Sequence, residues 1–175
     1  MPADVLLPAL DPAPIPGPPW LFHALWLVTF AVHLVGVNVV LGSSILGTIA
    51  SLDPDRPFGR GVARLFAEVN TWAISLTITF GLAPLLFVQV LHGRLFYSAT
   101  VILAPAWLGL LLFLMVAYYL TYGAKYRLRA GKGAAVHLGL SALLFLAVAA
   151  IQVVVHLLSV QPGRWEGVLA SPWTA

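Results

Sequence analysis

Hydrophobic positions in this chain run together in four long blocks, separated by short stretches of polar and turn-forming residues. The blocks cover residues 20–52, 62–92, 101–122 and 134–160. Each is longer than the roughly 20 apolar residues a helix needs to cross a bilayer. The first stops at Asp53-Pro54-Asp55-Arg56-Pro57, a strong helix terminator. The second holds Pro84 three residues after Gly81, which predicts a kink there. Gly123 reads as the C-cap of the third, and the fourth ends before Pro162. Residues 1–19 carry Pro12, Pro14, Pro16, Gly17, Pro18 and Pro19, so this segment is expected to be extended. Short connections force neighbouring helices to run in opposite directions. The expected fold is therefore all-α: an up-down bundle of four transmembrane helices over residues 20–165, followed by a tail over 166–175.

Composition turns that pattern into a class. The 175 residues are 61% hydrophobic and 9% charged, with a mean hydropathy of +0.96. Soluble domains carry about 25% charged residues, so the deficit marks an integral membrane protein. The formal charge of +3 is no nucleic-acid signal, because the cations cluster in two short loops. Arg56, Arg60 and Arg64 lie after the first block; Lys125, Arg127, Arg129 and Lys132 lie after the third. The opposite side has only Arg94 and Arg164. The positive-inside rule then puts both termini outside, in the periplasm if the membrane is a bacterial inner membrane. With no cysteine, disulfides, iron–sulfur clusters and covalently attached c-type haem are excluded. No basic region precedes the first apolar run, so a cleavable signal peptide is not expected.

What remains unexplained is the polar content of the blocks, above all the histidines. Polar side chains at membrane depth are costly and commonly face a cofactor, a partner or water. A helix rises about 1.5 Å per residue, which puts His23 about 5 Å below the outer interface marked by Trp20. His156 sits at similar depth in the fourth block, and His92 at the outer end of the second. Haem in a bundle asks for imidazoles from different helices at matching depth, and His23 with His156 is the pair that depth selects. His33 lies near mid-membrane on another side of its helix. It asks for a second haem, with Met115 level with it, or for a structural bond. His137 reads as a loop-end residue. Each histidine also has a plainer reading, as a packing group bonded to a carbonyl or hydroxyl. Arg94 and Arg164 are the outward cations available to haem propionates, or are simply interfacial. Glu68 and Asn70 suggest a quinone pocket, although Glu68 pairing with Arg64 four residues earlier is the simpler expectation.

Three stretches resemble the N-terminal four-helix half of subunit I of cytochrome bd-type quinol oxidases. Phe22-His23 opens the first helix, as a Phe-His does in that family, where the His is a haem axial ligand. Ala63-Arg64-Leu65-Phe66, Asn70 and Gly81-Leu82-Ala83-Pro84 resemble its second helix. Val155-His156 through Gln161-Pro162 resembles the end of its fourth. The resemblance implies a haem b protein with His23 as a ligand. The departures change the chemistry. The third block has none of the family's glutamates, and the quinol-binding loop and second half of that subunit are not present. His156 stands where the family has Asn, which supplies a second strong ligand. A haem with two histidine ligands has no open site for oxygen.

The expected function is thus a membrane b-type cytochrome, with one or two haems per chain, and not an oxygen reductase. It would pass electrons between the quinol pool, or a membrane partner, and a periplasmic acceptor such as a cytochrome. A stripe of Gly36, Gly42, Ser43, Ser44 and Gly47 on the first helix suggests close contact with a second copy and hence a homodimer. The competing expectation is a haem-free subunit that anchors or assembles a larger respiratory complex. A small transporter is a third, resting only on Pro84.

Overall fold

The computed structural model describes residues 15–53 and 59–170. Among these residues the regular structure is helical, with four long helices: α1 (Pro19–Leu52), α2 (Gly59–Ile102), α3 (Ala104–Arg129) and α4 (Ala135–Ser159). A 3-10 turn over Pro162–Arg164 leads into a short helix, α5 (Trp165–Leu169). All four long helices are long and apolar enough to cross a membrane. Most of the Pro-rich segment and the Asp53–Pro57 stop fall outside the described residues, apart from 15–19 and Asp53 itself.

Two boundaries differ from the sequence expectation. α2 runs on past His92 to Ile102, where a loop was expected. Forty-four residues at about 1.5 Å each make about 66 Å, roughly twice the bilayer core. The helix is accordingly broken, but not at Pro84. The departure from helical backbone angles is at His92, with φ −135° and ψ 33°. Residues 93–102 stay helical because Leu95, Ala99 and Ile102 recur at helical spacing and pack against a buried cluster. α3 then starts after the single residue Leu103, with Pro105 in its first turn, where proline's missing N–H is no loss.

At its other end α3 continues through Gly123 to Arg129. Gly123 is not a cap. A Cβ there would come 3.1 Å from His137 Cδ2, so the missing side chain lets the α4 histidine lie against α3. His137 is thus a half-buried packing residue near the start of α4, not an end-of-loop group. The cap is at Gly131, with φ +73°. The Gly131 amide donates to the Leu128 carbonyl and the Lys132 amide to that of Arg127, the paired bonds of a Schellman ending.

Helix contacts order the bundle. On α1 and α2, Gly47 meets Phe66, Ser44 meets Asn70, Gly36 meets Thr77, and Phe22 meets Phe87. The small residues of α1 are therefore used inside the chain. Ser43, Ser44 and Gly47 are buried, while a Cβ at Gly42 would meet nothing within 4 Å. These contacts give most of the stripe a neighbour within the chain, while Gly42 remains open to a partner. Buried hydroxyls and amides stitch the helices together: Asn70 Nδ2 donates to Ser44 Oγ at 2.7 Å, and the Thr121 and Ser141 hydroxyls are 2.8 Å apart. Lipid-facing helices need such bonds, since apolar surface gains little by leaving lipid for protein.

The two ends of the bundle have opposite character. One is basic. There Glu68 is held by Lys125 Nζ at 2.8 Å and by Arg129 Nη2 at 2.6 Å, both from α3. The expected Arg64 partner instead donates to the Leu128 carbonyl at 2.9 Å. The other end carries three histidines and is closed by α5. Trp165, 1% exposed, packs with Ala99, Val155 and Leu158, and its indole N–H donates to the Leu158 carbonyl at 2.8 Å. The expected tail over 166–175 is thus helical through Leu169 and docked at its start.

Candidate functional site: the histidine end of the bundle

His23, His92 and His156 lie at the end capped by α5, and each is supplied by a different helix. His23 sits in the first turn and a half of α1. Its Nδ1 is 2.8 Å from the Pro19 carbonyl. A carbonyl only accepts, so Nδ1 carries the proton and donates, leaving the Nε2 lone pair free. Metal-binding histidines are commonly held in this way, by a backbone bond that fixes the tautomer. His92 is presented by the break in α2. The rings of His23 and His92 have centroids 6.2 Å apart and planes at 78°. His156 stands in the last turn of α4, where its carbonyl accepts from the Ser159 hydroxyl at 2.7 Å.

His92 and His156 share a cavity of about 320 Å³. Its remaining lining is largely apolar, from Trp26, Val88, Leu95, Phe96 and Val160, with Ser159 beside His156. Phe96 stands edge-on to Trp107, centroids 5.9 Å apart, which fixes one wall. All three histidines are exposed, and of the three His92 and His156 line the cavity. Arg94 follows His92 by two residues and Arg164 lies in the turn before α5; both are exposed at this end. Sequence depth pairs His23 with His156; the structure sets His92 next to the first and across a cavity with the second. The lining residues Trp26 and Phe96 carried no signal in the sequence, since aromatics at helical spacing look like any lipid-facing residue.

His33 belongs elsewhere. Its Nδ1 is 2.9 Å from the Thr77 carbonyl on α2, so it donates across the α1–α2 contact. A Cβ at Gly81 would fall 2.7 Å from its Cε1. Glycine is what lets the ring lie against α2. Met115 is 52% exposed on the outside of α3 and does not share this environment. The inferred quinone residues are likewise engaged: Glu68 by the two α3 cations, and Asn70 by Ser44, although its Oδ1 is buried without a partner.

Among the described residues no three His, Cys, Asp or Glu side chains converge in the way a self-contained metal site requires. A haem asks less of the protein, one or two axial imidazoles and an apolar slot. Such a group would be held by imidazoles that stand close together beside an apolar slot. The His23–His92 spacing and the aromatic cavity beside it fit that demand. No protein-family model, no curated protein and no solved structure matches this chain.

Proposed function

We propose that this protein is a haem b-binding electron carrier of a bacterial inner membrane, with the haem held at the histidine end. The observation that carries the reading is the pair of imidazoles from α2 and α4, His92 and His156, lining an apolar cavity of about 320 Å³, with the α1 imidazole of His23 beside His92. His92 is the common member. It would hold the haem together with His23 or His156. Bound haem would contribute reversible one-electron transfer. The chain's own residues do the rest. The Pro19 carbonyl fixes the His23 tautomer, Trp26 and Phe96 line the apolar wall, and Arg94 and Arg164, exposed at this end, would be the cations available to anionic propionates. Among the described residues the cavity lining is without a carboxylate, which supports electron transfer over proton-coupled oxygen reduction.

The topology belongs to the same proposal. The α1–α2 contacts, from Gly47–Phe66 to Phe22–Phe87, support an up-down arrangement. Described cations at the basic end are Arg60, Arg64, Lys125, Arg127, Arg129 and Lys132, against Arg94 and Arg164 at the other. That asymmetry supports a cytoplasmic basic end and periplasmic termini. Electrons would then leave near the periplasmic face, to a soluble acceptor, after arriving from quinol or a membrane partner. The likeness to cytochrome bd subunit I supports the ligand role of His23 through Phe22-His23 alone.

The test is a visible spectrum of protein purified from haem-replete cells. A reduced α-band typical of haem b is expected. Loss of the band in His92→Ala, with retention in His33→Ala, is the expected pattern; a colourless protein overturns the reading. The second reading, a haem-free anchor or assembly subunit, is favoured by His33, which demonstrates that one histidine of this chain serves helix packing. It predicts a colourless protein whose stability falls on His33→Ala.

A further inference from the structure

The basic end holds a second cavity, unconnected with the histidines. It has a volume of about 200 Å³ and lies where the end of α1, the start of α2 and the α3–α4 turn meet. Among the described residues its polar side chains are Ser51, Arg60, Arg64 and Lys132, without a carboxylate. The Ser51 hydroxyl is buried there with no hydrogen-bond partner. A buried hydroxyl left unpaired costs about 1–3 kcal/mol, so such a group invites a ligand that bonds it. The acid Glu68, at the same end of the bundle, is held by Lys125 and Arg129.

We propose that this cavity binds the phosphate of an anionic phospholipid headgroup. Three cations and an unpaired hydroxyl match a phosphodiester, which offers negative charge and several acceptor oxygens. Arg64 is pre-positioned, since one guanidinium nitrogen is fixed on the Leu128 carbonyl and its other donors stay free. The cavity's place selects a lipid over a free anion. It lies at the ends of the spanning helices, where headgroups sit, and Ala50, Ala63 and Leu128 form its apolar side. Leu52, Val62 and Leu65, in the same turns of α1 and α2, are exposed apolar residues along which acyl chains can lie. Basic pockets between spanning helices recognise headgroups by this combination of charge and flanking apolar surface.

The experiment uses the full chain in mild detergent, titrated with phosphatidylglycerol or phosphatidylcholine and read by native mass spectrometry and thermal stability. Retention of phosphatidylglycerol over phosphatidylcholine is expected. Each lost surface cation weakens binding about fivefold, so an Arg60→Gln/Lys132→Gln double variant should bind about 25-fold more weakly. Unchanged thermal stability without lipid checks that the variant folds. Arg129→Gln removes one charge at the same end but outside the cavity, and should bind like the parent. Equal retention of the two lipids, or equal binding by parent and double variant, overturns the proposal. Displacement of phosphatidylglycerol by inorganic phosphate at matching affinity overturns the lipid assignment and leaves a free-phosphate site. The histidine-end spectrum is independent of all these outcomes.

Discussion

Single atoms decide several contacts in this chain. At Gly81 a methyl group would meet the His33 ring at 2.7 Å, and the Thr77 bond depends on that ring staying in place. Gly81→Ala should therefore cost about 1–3 kcal/mol, the usual penalty for overpacking, and more than His33→Ala, whose interhelical bond is worth about 0.6 kcal/mol. Thermal unfolding of both variants in one detergent checks the order. At the other end, His23→Ala and His156→Ala separate the candidate ligand pairs. The variant that keeps the reduced band with an unshifted maximum has lost a non-ligand, and the other should lose or shift it. Residue-level expectations from sequence fared unevenly, for a physical reason. Depth along a helix is a local property and brought His23, His92 and His156 to one end. Partner choice is not local. Glu68 turned from Arg64 on its own helix to Lys125 and Arg129 on α3, because two cations across a helix contact outcompete one on the same face.

At the scale of elements, the spans were legible because four apolar runs bounded by Pro, Gly and charge leave little freedom. The breaks were not. Pro84 looked like the kink, yet the backbone departs from helix at His92, where the only local signal is the following Gly93. Proline tolerates a helix interior when neighbouring helices hold it, and Pro84 is buried in the bundle. The extension over residues 93–102 was hidden as well. Its apolar positions acquire meaning only once Trp107 and Trp165 are brought against them. Trp165→Ala should consequently cost about 3 kcal/mol, as buried tryptophans generally do, and loosen this end selectively. Hydrogen exchange is the check: amides of residues 93–102 should lose protection while those around Ser44 and Asn70 keep it.

For the whole molecule, charge asymmetry carries the orientation. A single cysteine introduced at Lys132 should react with a membrane-impermeant reagent only in inverted vesicles, and one at Arg164 only in right-side-out cells. The opposite pattern would exclude the periplasmic acceptor. Small residues on α1 illustrate the limit of reading an assembly from a stripe. The sequence shows that a close neighbour is wanted, not whether that neighbour is a second copy or the chain's own α2 and α4. Gly47 answers for the chain, with Leu138 at 3.1 Å and Phe66 at 3.3 Å from where a Cβ would stand. Gly47→Leu is expected to lower the melting temperature of the protomer and not merely to shift its oligomeric state, which size-exclusion with light scattering can distinguish.

The docking of Trp165 also has a bearing on biosynthesis. A ribosome delivers α1 to α4 before it delivers residue 165, and all four can enter the bilayer by then. The contacts that seat Ala99, Val155 and Leu158 against the indole are made only afterwards. Closure of the histidine end thus follows synthesis of the last span, and a chain released before residue 165 would hold its spans without this contact. Under the proposed function, loading of a haem would fall into that interval, between insertion of the last span and arrival of the tryptophan.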